Sequence, residues 1–371
     1  MTEKRFQIGD LCRMEKGISP TLKTPPGPYP LVVTADFRRS ADTWQIDAPA
    51  VCVPLISSTG HGDAALHRVH YQDGKFALAN LLVALIPTNP SVCDAKYLYH
   101  LLMARKDELL VPLMQGTANV SLKEKDIAKM EISLPPIDKQ RRVVATLSRV
   151  SDAVSVVRNL RLDQERDIKG LLGGTFGKIA ADALCRPLDE VAPLVRRPIT
   201  VESNEMYAEL GVRSFGKGTF HKPSLSGLEI GTKRIFQIQP GDLVFSNVFA
   251  WEGAIAVARQ EDAGRVGSHR FITCVANPAI ATAEFLCFYF LTDEGLERIG
   301  KASPGGAGRN RTLGITALER IPVPVPSIDA QRKFGELLAK VGMLRKLQAE
   351  ADASLDALLR SVLSKAFARE L

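Results

Sequence analysis

From Val143 the apolar residues recur at alternating steps of four and three, through Leu147, Val150 and Val154 to Val157. That spacing draws one stripe along an α-helix, as on the seam of a coiled coil. A second stripe runs from Leu337 through Val341, Leu344, Ala351, Leu355 and Leu358 to Val362, interrupted by Gln348. Prolines precede each stripe, as Pro135-Pro136 and as the run "IPVPVPS". They forbid helix there, because proline lacks the amide donor and pushes its predecessor out of the α region. Asp138 and Asp329 then stand where an N-cap carboxylate would accept from the first free amides. Each helix can run for about forty residues, or about 60 Å. A long helix cannot bury such a stripe by itself. The simplest arrangement packs the two against each other, antiparallel; the alternative is that each packs only on its own domain.

The rest of the chain has another texture. Short apolar runs such as "YPLVVTA", "PAVCVPLI" and "NLLVALIP" precede the first helix, and "MYAELGV", "KRIFQI", "DLVFSNVFA", "GAIAVA" and "RFITCVAN" precede the second. Gly, Pro and Asp break them at short intervals, which predicts curled, strand-rich regions. One helix closes each region, "AKYLYHLLMA" in the first and "AEFLCFYFLTDEGLERIG" in the second.

The two halves are copies of one plan. "LPPIDKQRRVVATLSRV" from Leu134 returns as "VPSIDAQRKFGELLAKV" from Val325, an offset of 191 positions. The frame holds without a gap from Asn119 and Asn310 to Phe176 and Phe367. Upstream the match is looser: "LIPTNPSVCDAKYLYHLL" resembles "CVANPAIATAEFLCFYFL", and "RFQIGDLCRMEKGISP" faintly echoes "RPLDEVAPLVRRPITV". Internal duplication of this kind decides the architecture before any single element does. The fold class is α+β: two tandem α/β domains, each followed by a long helix, the two helices pairing as an antiparallel coiled coil. The expected segments are 1–136 and 186–327 for the mixed domains, and 137–185 and 328–371 for the helices.

Composition adds little beyond a folded chain. With 371 residues, 45% hydrophobic and 24% charged, it can bury two sizeable cores. No stretch approaches the about twenty apolar residues of a membrane span, and "MTEKRFQIGD" does not read as a signal peptide, so the cytoplasm is expected. The cysteines at 12, 52, 93, 185, 274 and 287 form no C-x-x-C pair and predict buried thiols. A net charge of +7 leans weakly towards nucleic acid.

Candidate chemistry is mostly missing. There is no phosphate loop, no H-E-x-x-H, no G-x-S-x-G elbow and no G-x-G-x-x-G after a strand. His67 and His70 are better read as loop residues than as ligands, and Asp242 with Glu252 as turn chemistry rather than a nuclease centre. No catalytic residue, metal or cofactor is expected. "SPGGAGRNR" reads equally as a plain turn or as a loop touching a nucleic-acid backbone; "MQGTANV", its counterpart, keeps the asparagine without the arginine.

The proline-rich end, then "IDKQRRVV" or "IDAQRKFG", then a long heptad helix, twice over and behind "QIQPGDLVFS", resembles the specificity subunit of type I restriction-modification systems across essentially the whole chain. The resemblance implies two target recognition domains, each reading one half of a split site in double-stranded DNA. It implies helices that pair, space the domains and dock two methyltransferase subunits, restriction subunits joining through the complex. Methylation and cleavage in phage defence would then belong to the partners, and this chain would be no enzyme. One departure stands out: the first half offers "IDAPAVCVPLISSTG" where the second has "PGDLVFS". The competing function is a non-enzymatic coiled-coil scaffold whose β-rich domains bind protein or glycan, which would lack steep salt dependence of DNA binding.

Arg reads guanine, Asn or Gln reads adenine, and Lys or Arg holds phosphates. The candidate DNA contacts on that basis are Lys16, Lys23, Arg38, Arg39 and Asn119 in the first half. In the second they are Arg196, Arg197, Arg213, Lys217, Lys222, Arg270, Arg309, Asn310 and Arg311. Gln140, Arg141, Gln331 and Arg332 are candidates for the partner surface or, equally, for fixing the helix entrance.

Overall fold

A computed structural model describes residues 4–57, 69–116, 120–305 and 311–367. The chain divides into two compact units, Met1–Arg161 with Glu350–Leu371, and Leu162–Ala349. Both boundaries fall inside the long helices, Ile137–Ala180 and Ile328–Phe367, so each unit owns part of both.

In the first unit, strand Lys4–Gln7 pairs antiparallel with Glu131–Leu134 and leads into a helical turn, Ile8–Leu11. A four-stranded antiparallel sheet follows in the order Cys12–Lys16, Leu82–Pro87, Ala50–Pro54, His70–Gln72. A second sheet has the order Arg38–Ala41, Tyr29–Val32, Lys75–Leu78, Ile46–Asp47. Successive strand side chains point to opposite faces. Thus Val83 and Leu85 enter one core, shared with Val51 and Val53, while Leu82, Ala84 and Ile86 enter another with Ala50 and Cys52. A strand serving two cores must read as an unbroken apolar run, and "NLLVALIP" and "PAVCVPLI" do.

The second unit repeats this plan. Leu184–Pro187 pairs with Pro322–Val325 and leads into the turn Leu188–Val191, the counterpart of the faint N-terminal echo. Strand Leu243–Ser246 is flanked antiparallel by Ile255–Val257 and Phe271–Cys274. It holds the place of Ala50–Pro54, so the described part of that stretch, Ile46–Ser57, stands where "PGDLVFS" does in the second unit. A five-stranded sheet runs in the order Pro198–Ile199, Ile235–Gln237, Val266–Ser268, Met206–Val212, Thr219–Ser226. The helix expected over "AEFLCFYFLTDEGLERIG" is two helices, Ala283–Phe290 and Asp293–Lys301. The break comes at Thr292, whose hydroxyl accepts from Gly295 N and starts a new helix.

The long helices begin at Ile137 and Ile328, two residues before the start that aspartate caps would set. Asp138 and Asp329 lie inside the first turn and are not the caps. Ser327 caps the second helix, its hydroxyl accepting from Ala330 N at 3.4 Å. The aspartates still suit the positive end of the helix dipole.

Gln140 and Gln331 are wholly buried. The Gln140 carbonyl oxygen accepts from Asp94 N (3.0 Å), and its amide donates to the carbonyls of Val92 and Pro135 (2.8 Å each). Gln331 repeats this with Thr282 N (3.0 Å), Ile280 O (3.0 Å) and Pro326 O (2.9 Å). Asp94 and Thr282 are themselves the caps of the domain helices, Ala95–Ala104 and Ala283–Phe290. Of the two roles open for these glutamines, the structure rules out a partner surface and leaves the helix entrance.

Within each unit the long helices meet antiparallel. Arg158 bonds Asp356 (2.7 Å) and Arg161 pairs with Asp352 in the first. Glu165 pairs with Arg345 (2.5 Å) and Gln164 with Gln348 (2.6 Å) in the second. Val143, Leu147, Val150, Val154 and Val157 face inward as expected. The second stripe shifts after Leu344: Gln348, Asp352, Leu355 and Leu359 turn inward, whereas Ala351 and Leu358 are exposed. Two consecutive steps of four, 344–348–352 and 157–161–165, act as a local stutter. At the far ends Phe367 lies tilted against Tyr97 (5.2 Å), and Phe176, its equivalent in the repeat, lies among Phe285, Phe288 and Phe334.

Replacing Gln331 by Ala leaves an amide and two carbonyls unpaired in a buried place. Thermal unfolding should show a loss of about 1–3 kcal/mol, with the same for Gln140→Ala. Unchanged stability in both variants would show that these bonds do not hold the entrance.

Candidate nucleic-acid interface

The basic candidates separate once their partners are visible. In the first unit Lys16 ends a strand, its ammonium 3.6 Å from Glu124. Lys23 stands exposed in a turn closed by its own amide on Pro20 O. Arg39 is exposed on the strand beside Arg38, which is half-buried. The Arg38 guanidinium donates to Gln72 Oε1 (3.0 Å), His70 Nδ1 (3.2 Å) and Tyr71 O (3.2 Å), all neutral. Burial pulls its pKa below the usual guanidinium range. Asn119, Arg309 and Asn310 lie outside the described residues.

In the second unit Arg197 makes two bonds to Asp242 (2.7 and 3.1 Å), a carboxylate that also accepts from Gln239 N and is almost wholly buried. The pair braces the strand behind it, so neither residue is free to read DNA, and Asp242 is a structural counter-ion. Arg196, its neighbour, instead lies over the Phe236 ring (4.8 Å). It opens on a hollow of about 760 Å³ that also takes in Arg234 and His269. Strand register makes this hollow: Ile235 pairs with Ser268, and His269 N donates to Arg234 O, so two basic ends distant in sequence become neighbours. Arg270 follows, exposed. Only the pairing reveals Arg234 and His269, which sequence reading passed over.

Aromatic rings support other candidates. Arg213 lies over Phe220 (4.8 Å) and Arg311 over Trp251 (5.3 Å). Lys217 lies 5.8 Å over Phe215, an exposed ring and the one non-glycine residue with positive φ (62°) among those described. That backbone is held by Phe215 N on Glu252 O and by Ser214 Oγ on the Glu252 carboxylate. Lys222 is 3.6 Å from Glu209. A guanidinium laid on a ring keeps its donors pointing outward at little entropic cost, as stacking and phosphate contacts require.

Buried acids in this unit are structural too. Asp262 accepts from Thr219 Oγ1 (2.7 Å) and Arg259 N (2.9 Å) and meets His221 Nε2 (2.9 Å). Burial alone would raise its carboxyl, but these bonds outweigh it and hold the pKa below the usual range. Arg141 and Arg332 remain on the outer face of the helix entrances, Arg332 only 3.7 Å from Asp329. Among the described residues no group of three or more His, Cys, Asp or Glu could hold a metal ion.

Comparison with known proteins bears on the fold and on the first half of the sequence. Residues 2–162 match the type I restriction modification DNA specificity domain. Over residues 2–162, then, the chain resembles the specificity subunits of type I restriction-modification systems. Three solved structures share its fold over almost its whole length. The type I restriction-modification S subunit from M. genitalium is 16% identical with a TM-score of 0.56, over 99% of this chain and 96% of that one. The HsdS subunit from Thermoanaerobacter tengcongensis is 17% identical with a TM-score of 0.52, over 100% and 97%. A chain from a study of complex assembly and conformational transition in the type I R-M system is 17% identical with a TM-score of 0.62, over 100% and 98%. Specificity subunits carry no catalytic centre; they give the complex its DNA sequence recognition, while the chemistry resides in other subunits.

In this chain Arg196 and Arg197 should separate cleanly. Arg197→Met strands the buried Asp242 carboxylate and should cost about 3 kcal/mol or more in thermal unfolding. Arg196→Gln should leave unfolding unchanged and lower the slope of log affinity for DNA against log salt by about one. The reverse pattern would mean that the roles are exchanged.

Proposed function

We propose that each unit reads one half of a bipartite site in double-stranded DNA, and that the repeated helix entrances present equivalent outer faces to two copies of a methyltransferase subunit. Recognition would reside in segments 1–136 and 186–327, with 137–185 and 328–371 as the helical parts between and after them. The observation that carries this reading is the contrast within the duplication. The strand pair before the long helix, the glutamine entrance and the aromatic end are the same in both units, whereas the sheets and the cations they carry differ. The first unit offers Lys16, Lys23 and Arg39; the second offers Arg196, Arg213, Lys217, Lys222, Arg270 and Arg311, with Arg234 and His269 beside Arg196. A common scaffold with different exposed donors is what two readers of different sequences need, since phosphate contacts position a protein and base contacts specify it.

Arg141 and Arg332 supply the exposed part of each methyltransferase face, and restriction subunits join through the assembled complex. No helix among the described residues is long and apolar enough to cross a membrane. We place the complex in the cytoplasm, where its DNA is.

Exchanging 186–320 for the matching segment of a related subunit tests the reading. Methylation mapping in a host should show one half of the modified sequence altered and the other kept, and changes in both halves would refute independent reading. Native mass spectrometry of the same complex, saturated with methyltransferase, should count two copies; a single copy would end the symmetry argument.

A further inference from the structure

Each unit has a cleft between its domain helix and a long helix, and the two clefts are lined from equivalent places. Lys96, Tyr99, His100 and Leu147 line the first, of about 310 Å³. Their equivalents in the repeat, Glu284, Cys287, Phe288 and Leu338, line the second, of about 670 Å³. The domain helices are aligned by their caps, since Asp94 and Thr282 each accept from the amide three residues on. The second cleft also has basic residues, Lys169, Arg259 and Arg345, but acids stand among them as Glu252 and Glu284, and its two arginines are paired with Glu261 and Glu165. The cations of the first are not paired in this way.

Two cations without a counter-ion stand in that first cleft. Arg38 spends its guanidinium on neutral partners, and neither it nor Lys96 has a carboxylate within 4.0 Å among the described residues. Lys96 lies 5.9 Å over the Tyr71 ring. Asp152, on the long helix, is the one acid on the wall, beside Ser148 and Ser151. Leaving a half-buried charge uncompensated is costly unless an opposite charge arrives. Two imidazole nitrogens are in the same position: His70 Nε2 and His100 Nε2 are buried without a partner in hydrogen-bonding geometry. A guanidinium can only donate, so His70 Nδ1 is its acceptor and the His70 proton sits on Nε2. Burial and then Arg38 hold His70 down at about 4, against the Val33 and Ala35 carbonyls and Asp36; burial and then Lys96 do the same to His100, against Asp94.

We infer that this cleft binds a phosphate group, held by Arg38 and Lys96 with Ser148 and Ser151 as hydroxyl donors and the two imidazoles alongside. The group could belong to the DNA backbone or be free phosphate. The first source rests on the DNA-reading function proposed above; the site itself does not.

The full-length chain, labelled with carbon-13 in its histidines, is titrated with inorganic phosphate and observed by NMR. The His70 and His100 resonances should move and their pKa values rise, because an anion offsets the cations that depress them. Lys96→Gln should weaken the effect at least tenfold. Lys96→Glu, which copies the second unit's Glu284, should abolish it without altering thermal unfolding. In parallel, DNA binding of Lys96→Gln is measured against salt. A slope reduced by about one, with the methylated sequence unchanged, assigns the site to a backbone phosphate. An unchanged slope with moving imidazoles supports the site with free phosphate as its occupant. If the imidazoles are insensitive to phosphate and the slope is unchanged, the inference is overturned. Failure of the DNA-reading function would look different: no sequence-preferring binding by the unaltered chain, with the phosphate titration still readable.

Discussion

Everything else in each unit hangs on one buried amide. Proline before the long helix removes donors and sets the backbone direction, but it does not fix how a mixed domain sits on the helix that follows it. Gln140 and Gln331 do, because each joins three backbone segments at one point: the end of the preceding strand, the cap of the domain helix and the turn before that cap. Glutamine has both a donor and an acceptor end on a stem long enough to span the gap. Once such a group is enclosed its bonds must all be made, since each lost one exposes a desolvated partner. The arrangement therefore tolerates little drift. Identical bonding in both units explains how two divergent domains keep one attitude to their helices.

The long helices and the duplication were legible in the sequence because they depend on period and frame. Apolar steps of four and three survive almost any change in exposed residues, and a constant offset needs no knowledge of contacts. What failed was whatever depends on a neighbour distant in sequence. Asp138 looked like a cap, but Pro136 and Ser327 lie at the boundary and the aspartates fall one residue inside. The second stripe seemed to continue through Ala351 and Leu358, yet the face turns at Gln348, because polar residues meet there that no single-helix pattern can reveal. Thr292 interrupts what hydropathy joined.

The candidate interface was half legible for the same reason. Basic residues can be found in a sequence; their availability cannot. Arg196 and Arg197 are adjacent and chemically identical, yet one lies open on Phe236 and the other is bound to a buried carboxylate. Arg38 is engaged by neutral groups on another strand, and Arg234 and His269 become a pair only through strand register. Gln140 and Arg141 stood together as candidates, and a single residue step of about 100° around the helix sends the first inward and the second outward. Side-chain direction, rather than residue type, separates scaffold from reader.

The same logic bears on the helix pair. Under the 191-residue offset Arg161 corresponds to Asp352, and these two side chains meet each other. When two equivalent helices run antiparallel, some residue must face its own equivalent. If the halves were identical there, a charged residue would oppose a like charge at close range. Such a position can be neutral, or the copies can differ in sign, and here they differ. Exposed ion pairs contribute about 0–1 kcal/mol at most, so this layer, with Arg158–Asp356 before it and Glu165–Arg345 beyond, adds little stability. Its effect is on register. Sliding the helices by a turn would set Arg161 against Asp356 or Gln348 and break at least one of the flanking pairs, while the apolar stripe alone would accept the shift. A duplicated protein with interchangeable hydrophobic seams thus fixes its alignment through the few positions at which its two halves had to become different.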